Sequence, residues 1–307
     1  MSASGAGRAG VALVAVGQMT SGSDKRRNFE VCRNLALQAT EAGASLLALP
    51  ECFNFIGKSW RETVAAAEPL TGTSMARYLG LAKETGLWLS LGGFQESITD
   101  ASPVAPVADG VGGGEGGGAG QTAHEPGSSP SKVFNTHVIV SSDGDIRAAY
   151  RKIHLFDVDV PSGPVLREST YTSPGQELRV CEGSPVGTLG LTTCYDVRFP
   201  EMYACLARRG AEVALVPSAF TVPTGKAHWE VLLRARAIEM QSYVVAAAQV
   251  GQHSEKRASY GHAIIVDPWG KVLADADGES PCIRTAAIGT VQVGGAFLWQ
   301  VNTHEDS

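Results

Sequence analysis

The sequence lacks the features that mark membrane and secreted proteins. No apolar run approaches the roughly 20 residues that a membrane-spanning helix requires, and the N-terminus MSASGAGRAG has no apolar signal-peptide core. The six cysteines are scattered, and none forms a C-x-x-C pair. These absences predict reduced thiols and a cytoplasmic protein, although the arginine in the N-terminus leaves import into an organelle open.

Strong charge of one sign is also missing. The chain carries 25 basic and 31 acidic residues, and its formal net charge is −6. With no basic patch, nucleic acid and anionic membranes are not expected as partners. His154, Asp157 and Asp159 lie close together in sequence, but no H-E-x-x-H spacing accompanies them, so no metal site is predicted. No G-x-S-x-G is present either, which argues against a serine hydrolase of the α/β-hydrolase type.

Alternating strand and helix patterns make up most of the sequence. Buried strands are predicted at residues 11–18, 45–49, 87–92, 133–141, 185–193, 213–216 and 243–249, with hairpins at Asp143-Gly144 and around 267–270. Helices are predicted after Asp24, which can cap the first of them, and at residues 74–85, 200–209 and 226–241. This alternation predicts a layered α/β domain.

Two segments break the alternation. Residues 99–131, with VGGGEGGGAG at their centre, cannot bury enough apolar surface to offset chain entropy and are predicted to be a disordered insertion. From about residue 280 onward no clear periodicity remains, and no element is assigned there. The first nine residues are predicted to be flexible.

Three residues of potential chemistry each follow a predicted strand, where rigid scaffolds present site residues. Glu51 would be partly desolvated, which raises a carboxyl pKa toward the range useful for a base; the alternative is a solvated turn glutamate. Lys152 could neutralise a thiolate or an oxyanion; the alternative is a surface lysine. Cys194 lies between a strand and a helix, where the helix dipole and a nearby lysine would favour thiolate. The alternative for Cys194, and the interpretation of the other five cysteines, is a small buried hydrophobe.

The order Glu51, Lys152, Cys194 resembles the Glu-Lys-Cys triad of the nitrilase superfamily, over roughly residues 11 to 275. Within it, the sequence is most similar to the deaminated glutathione amidases, in the segments LPECFNFIG, YRKIHLFDVDVP, LRESTYTSPG, CYDVRFPE, HWEVLLRARAIE and EKRASYGHAIIVDPWG. The resemblance implies a four-layer αββα sandwich, a homodimer formed through outer helices and no cofactor. It also implies a carbon–nitrogen hydrolase domain at 10–279, followed by an atypical tail at 280–307.

The resemblance further implies a mechanism. Glu51 takes the proton of Cys194, the thiolate attacks an amide carbonyl, and Lys152 and the backbone N–H of Tyr195 hold the oxyanion. Glu168 takes the place of the family's second glutamate and would position Lys152 or assist the water; the alternative is a surface glutamate. Asp196 and Arg198 are interpreted as structural members of the turn at Cys194. A basic residue should bind substrate carboxylates, and the candidates are Arg198, Lys226, Lys256 and Arg257.

The implied reaction is hydrolysis of deaminated glutathione, a small-molecule amide, to 2-oxoglutarate and cysteinylglycine, which is a metabolite-repair reaction. The alternatives are an ω-amidase that acts on 2-oxoglutaramate, a nitrile hydrolase, and a catalytically silent interaction protein that keeps the scaffold.

Overall fold

The computed structural model describes residues 11–98, 132–159, 165–278 and 280–289. The predicted flexible N-terminus and Gly-rich insertion lie outside these residues. The strands are β1 Val11–Met19, β2 Leu46–Leu49, β3 Trp88–Ser97, β4 Val133–Val140, β5 Ile146–Arg151, β6 Asp157–Asp159, β7 Val165–Arg167, β8 Arg179–Ser184, β9 Gly187–Leu191, β10 Val213–Leu215, β11 Tyr243–Ala246, β12 Ala248–Ser254, β13 Arg257–Tyr260, β14 Ile264–Val266, β15 Val272–Asp275 and β16 Cys282–Gly289. The α-helices are α1 Lys25–Glu41, α2 Trp60–Ala65, α3 Thr73–Thr85, α4 Pro200–Arg208 and α5 Val222–Met240.

The strands form two large sheets and a small hairpin of β6 and β7. One sheet has the order β13-β12-β1-β2-β3-β4-β5, with β16 also paired to β1, and the other has the order β15-β14-β11-β10-β9-β8. The central strands β1, β2 and β3 are parallel, as are β9, β10 and β11. Helices connect each of these parallel neighbours, since a parallel pair needs a crossover.

Side-chain alternation along the strands produces four layers. In β1, Val14 and Val16 face a core shared with the second sheet, whereas Ala15 faces a core shared with α1 and α3. The first core also takes in the buried faces of α4 and α5. Because successive strand residues point to opposite faces, the order of layers is helix, sheet, sheet, helix. This is the αββα sandwich that the family resemblance implies.

Local signals explain most element boundaries. The Asp24 side chain accepts hydrogen bonds from the backbone N–H groups of Arg26 and Arg27, and this confirms the predicted cap of α1. Helix α5 begins at Val222 rather than at 226, with a proline in its first turn. The predicted strand 243–249 is two strands, and the chain crosses from one sheet to the other at Ala247. The crossing was not predicted because buried positions on both sides of it give one unbroken apolar run.

The segment after residue 280 contains a strand that the sequence analysis did not assign. Strand β16 pairs antiparallel with β1 over eight residue pairs, from Val11 with Gly289 to Gln18 with Cys282. Its side chains alternate, with Ala286 and Ile288 buried in the core between the sheets. Alternation was hard to recognise because alanine and glycine give little contrast between the two faces. The strand lies beyond the predicted domain end at 279, and residues 290–307 of the predicted tail lie outside the described residues.

Candidate active site

Three strand ends meet between the two sheets and bring the predicted triad together. Glu51 follows β2, Lys152 follows β5 and Cys194 follows β9. The Nζ of Lys152 lies 3.0 Å from Oε1 of Glu51 and 2.9 Å from Oε2 of Glu168. Cys194 lies close enough to Glu51 for the charge of that carboxylate to raise the pKa of its thiol. All four side chains therefore belong to one buried cluster.

The turn at Cys194 has a strained backbone that presents the sulfur to this cluster. Cys194 has φ 51°, in the left-handed region that L-residues rarely adopt, and it opens a 3-10 helix that ends at Arg198. Its backbone N–H donates to the carbonyl of Pro217 at 2.9 Å. Such strain persists only where the surrounding structure holds it, and it is concentrated at functional sites.

A fully buried aspartate holds this turn in place. The carboxylate of Asp196 accepts hydrogen bonds from Tyr150 Oη at 2.7 Å and from the Thr193 N–H at 2.8 Å. It also accepts from the Nδ1 of His154 at 2.7 Å, and the His154 ring stacks on Phe199 with centroids 3.6 Å apart. These contacts tie the turn at Cys194 to the loop that carries Lys152, and they are the contacts of a structural residue.

Glu51 is fixed by donors from both sheets. Its Oε1 accepts from Nδ2 of Asn135 at 2.8 Å as well as from Lys152, and its Oε2 accepts from the N–H of Ala219 at 3.1 Å. Asn135 also donates to Oε1 of Glu168 at 3.2 Å. Sequence reasoning missed Asn135, although an asparagine inside a strand is unusual enough to serve as a signal.

A glycine pair in β3 makes room for these side chains. The pairing of β3 with β4 shifts register between Leu91 and Phe94, and Gly93 has φ 68°. A Cβ on Gly93 would lie 2.6 Å from Cγ of Glu51 and 2.9 Å from Oδ1 of Asn135. Only glycine therefore lets the strand approach the cluster this closely. The pair Gly92-Gly93, at the end of the predicted strand 87–92, was the available sequence signal for this bulge.

The pKa of Glu51 is lowered, whereas the sequence analysis expected desolvation to raise it. Burial raises the pKa of Glu51, but the Lys152 charge and hydrogen bonds from Cys194, Lys152 and Asn135 outweigh burial and lower that pKa below its usual range. Burial lowers the pKa of Lys152, but Glu168 and Glu51 outweigh it and raise that pKa well above normal. Glu51 and Lys152 thus form a charged pair, because the expectation of a raised carboxyl pKa left out the lysine.

The pKa of Cys194 is raised, whereas the sequence analysis expected the helix dipole and a nearby lysine to favour the thiolate. Burial raises the pKa of its thiol and the adjacent Glu51 charge raises it further, while Lys152 and the N–H of Ala219 lower it; the net shift is well above the usual range. Burial and the Glu51 charge therefore favour the thiol over the thiolate before substrate binds. The lysine does not create a thiolate, since its charge is already neutralised by two carboxylates.

Glu168 lies in the cluster because a short 3-10 helix, Glu168–Thr170, places it beside the Lys152 loop. Its Oε2 accepts from the N–H of Phe156 at 2.8 Å in addition to Lys152. The metal alternative has no geometric support: Asp157 binds Ser169, and no group of three or more His, Cys, Asp or Glu side chains among the described residues could hold an ion.

The substrate-binding candidates occupy different places. Tyr195 directly follows Cys194 and contacts Phe156 edge-on, with ring centroids 5.1 Å apart. The guanidinium of Arg198 lies 5.7 Å from the Tyr195 ring centroid and 3.3 Å from Nδ1 of His228. Lys226 and Lys256 are exposed, whereas Arg257 is partly buried beside Cys52, the residue that follows Glu51.

Both the fold and this cluster define a class of enzyme, and the sequence matches it. Residues 13–296 match the carbon–nitrogen hydrolase family, so the chain belongs to that family. The match includes β16 and extends past the predicted domain end at 279. In the described part of the chain, no helix is long and apolar enough to cross a membrane.

Several relatives refine the comparison. The chain is 47% identical to the human deaminated glutathione amidase over 272 residues, which are 88% of this chain and 75% of that protein. It is similar to the crystal structure of Caenorhabditis elegans NitFhit, with 40% identity and a TM-score of 0.76 over 92% of this chain and 61% of that one. It is also similar to a Nesterenkonia amidase variant that carries acrylamide on its active-site cysteine, with 25% identity and a TM-score of 0.68 over 89% of this chain and 92% of that one.

Proposed function

We propose that this protein is an amidase that hydrolyses deaminated glutathione to 2-oxoglutarate and cysteinylglycine through a thioester on Cys194. The observation that carries the mechanism is the buried cluster in which Lys152 binds both Glu51 and Glu168, with the thiol of Cys194 close enough to Glu51 for that charge to raise its pKa. The substrate is proposed from the 47% identity to the human deaminated glutathione amidase.

In the first half of the reaction, Glu51 accepts the proton of Cys194 as the sulfur attacks the amide carbonyl carbon. The carbonyl oxygen gains the negative charge. Lys152 holds Glu51 and Glu168 with two of its three N–H donors and directs the third at this oxygen, together with the N–H of Tyr195. Glu51 then gives its proton to the leaving nitrogen, the carbon–nitrogen bond breaks, and the acyl group remains on sulfur as a thioester.

The second half reverses these proton movements with water. A water molecule gives a proton to a carboxylate as its oxygen attacks the thioester carbon, and the carbon–sulfur bond breaks when the sulfur takes the proton back. Glu51 is the proton carrier in both halves. Glu168, which also accepts from Asn135 and the Phe156 N–H, keeps Lys152 in place and limits where the water can lie.

The experiment that tests this function is release of 2-oxoglutarate by the purified protein, given deaminated glutathione and 2-oxoglutaramate in parallel, with Cys194→Ala as the control. We expect faster turnover of deaminated glutathione and none by the variant. Preference for 2-oxoglutaramate would make the protein an ω-amidase with the same cluster. A folded protein that is inactive on both, and on simple nitriles, would instead support a silent scaffold.

We also propose that two copies pair through the outer face of α5. Val231 and Ile238 lie seven positions apart on the face of α5 opposite to Trp229 and Leu233, and are 69% and 43% exposed. Exposed apolar residues on one face suit a twofold interface in which the same patch meets itself. Light scattering after size exclusion should give a dimer for the wild type and a monomer for Val231→Glu. Leu37→Glu, on α1 in the opposite outer layer, should leave the dimer intact.

A cytoplasmic location and the absence of nucleic-acid and membrane partners remain predictions from the sequence.

A further inference from the structure

His137 is a buried histidine that joins the two large sheets next to the turn at Cys194. It lies in β4 of the first sheet, where its side chain is fully buried. Its Nδ1 lies 2.9 Å from the carbonyl oxygen of Thr192, the residue that follows β9 of the second sheet. Its Nε2 lies 2.8 Å from Oγ of Ser90 in β3. One imidazole ring therefore links both sheets through two hydrogen bonds.

The partners of this ring fix which nitrogen carries the proton. A carbonyl oxygen can only accept, so Nδ1 of His137 donates to Thr192. Burial lowers the pKa of His137 to about 4, and the neutral ring has a single proton. Nε2 is left as an acceptor, and the hydroxyl of Ser90 donates to it. Ser90 thus holds the ring in the one neutral tautomer that can bind the Thr192 carbonyl.

One face of β4 reaches both reacting partners. Side chains two residues apart on a strand point the same way, so Asn135, His137 and Ile139 share a face. Ile139 packs in the core between the sheets, which identifies the direction of that face. Asn135 donates to Glu51, and His137 binds the chain two residues before Cys194. A single strand therefore contacts both the proton acceptor and the segment that carries the nucleophile.

His137 and Tyr150 hold the turn at Cys194 from its two sides. They lie directly opposite each other in the pairing of β4 with β5. Tyr150 donates to Asp196, two residues after Cys194, and His137 donates to Thr192, two residues before it. The left-handed backbone of Cys194, with φ 51°, persists only if its surroundings hold it. Two bonds from neighbouring strands of the opposite sheet supply such a constraint.

We propose that His137 is a positioning residue, which acts through the Thr192 carbonyl to hold Cys194 where Glu51 can take the proton of its thiol. This inference rests on the proposed amidase function. The ring makes no contact with the reacting bond, and no proton passes through it. Loss of the ring should therefore lower kcat and leave substrate binding nearly unchanged, because misplacement of a reacting group by about 1 Å can lower a rate by about 100-fold.

The first test compares the kinetics of His137→Leu and His137→Asn. Leucine removes the donor, whereas asparagine keeps one, since its Nδ2 and the Nδ1 of histidine are both bonded to Cγ. His137→Leu should lower kcat by about 10- to 100-fold with little change in KM. His137→Asn should recover part of that loss.

Ser242→Ala is the matched control for these variants. The buried hydroxyl of Ser242 also donates to a backbone carbonyl, that of Ala211, at 2.9 Å. Both residues lie just before parallel strands β11 and β10, whereas Cys194 lies beyond the far end of the neighbouring strand β9. Loss of this hydrogen bond should leave kcat as in the wild type.

The second test examines the cysteine without any amide substrate. Iodoacetamide alkylates a cysteine sulfur as its proton leaves, so the rate at Cys194 reports its placement relative to Glu51. Mass spectrometry of the peptide that contains Cys194 separates this rate from those of the other cysteines. His137→Leu should slow alkylation of Cys194 in parallel with its loss of kcat, and His137→Asn should slow it less.

The third test identifies the tautomer in the wild-type protein. Nitrogen-15 chemical shifts distinguish a protonated from an unprotonated ring nitrogen, and the signals of His137 are those that move in Ser90→Ala. We expect a proton on Nδ1 and none on Nε2 near neutral pH. A proton on Nε2 would overturn the proposal, because Nδ1 could then not donate to Thr192.

The kinetic outcomes are equally decisive. An unchanged kcat in folded His137→Leu, or equal losses in the leucine and asparagine variants, would refute a role through Thr192. If His137→Leu does not fold, Ser90→Ala takes its place: it frees the ring, so unchanged kcat and alkylation would refute the proposal. If wild-type protein hydrolyses neither amide, the proposed function fails, whereas alkylation of Cys194 in the same variants still decides the role of His137.

Discussion

Nδ2 of Asn135 lies 2.8 Å from Oε1 of Glu51, and the same nitrogen lies 3.2 Å from Oε1 of Glu168. One side-chain amide therefore ties together the two carboxylates that flank Lys152. The hydrogen bond from Asn135 also helps to lower the pKa of Glu51, so it favours the charged form of that carboxyl. We infer that Asn135 acts through Glu51 as a positioning residue and has no direct contact with the reacting bond.

Replacing Asn135 with alanine should move the acid limb of the pH profile. Glu51 acts as a base only when it is ionised, and the hydrogen bond from Asn135 helps to lower its pKa. Without that bond the pKa of Glu51 rises, so the acid limb of kcat/KM should shift to higher pH. Asn34→Ala, on the exposed face of α1, should leave the profile unchanged. A lower rate with the limb in its original place would assign Asn135 to structure alone.

The Glu51→Gln variant should separate thiolate formation from catalysis. The Glu51 charge is one cause of the raised pKa of Cys194, whereas Lys152 lowers that pKa. Removing the carboxylate leaves the lysine next to the sulfur, so the apparent pKa of Cys194 should fall even as hydrolysis is lost. Ultraviolet absorbance of the thiolate across a pH titration measures this, with Cys194→Ala as the blank. An unchanged or higher pKa would mean that Glu51 does not hold the thiol in its neutral form.

The sequence predicted where the reactive residues lie better than it predicted their state. Glu51, Lys152 and Cys194 each follow a short apolar strand, and strand ends can be read from local pattern. Asn135 could not be placed in the same way, because its contact with Glu51 depends on the pairing of β4 with β3 and on the bulge at Gly93. The protonation of Cys194 depends on distances between three chain segments, which no local pattern contains.

Removing the buried lysine should destabilise the fold in a pH-dependent way. Lys152→Met leaves Glu51 and Glu168 buried without their cation, and loss of one partner of a buried pair costs about 3–5 kcal/mol. The pKa of Glu51 would then rise above the unfolded value, because burial raises it and the Lys152 charge that lowers it is gone. The free energy of unfolding in urea should therefore be closer to wild type at about pH 5 than at about pH 8, since stability is lost as pH rises through the raised pKa of Glu51.

A double variant checks the cause of that loss. Adding Glu168→Gln to Lys152→Met removes one of the two stranded carboxylates, so part of the lost stability at about pH 8 should return. The same Glu168→Gln change alone should destabilise the protein, because it removes a partner of Lys152. If the free-energy losses of Lys152→Met and Glu168→Gln simply add in the double variant, the three side chains do not act as one electrostatic cluster.

Strand β16 should contribute to stability as a core element, although its sequence gave no clear strand pattern. Ile288 is 1% exposed and packs in the core between the two sheets, whereas its neighbour Ala287 faces solvent. Truncation of a buried isoleucine to alanine removes apolar contacts and leaves a cavity, at a cost of about 2–5 kcal/mol. Ile288→Ala should lower the free energy of unfolding in urea by about this amount, while Ala287→Ser should change it by less than about 0.5 kcal/mol.

The catalytic assay gives the same strand a second test. Ile288 pairs with Ala12 at the start of β1, whereas Glu51 follows the far end of the parallel strand β2, so Ile288→Ala protein that remains folded should keep its kcat. Its thermal inactivation should nevertheless occur at a lower temperature than that of Ala287→Ser. If the two variants unfold at the same urea concentration, residues 282–289 do not form part of the core and the eight pairs with β1 do not stabilise the sheet.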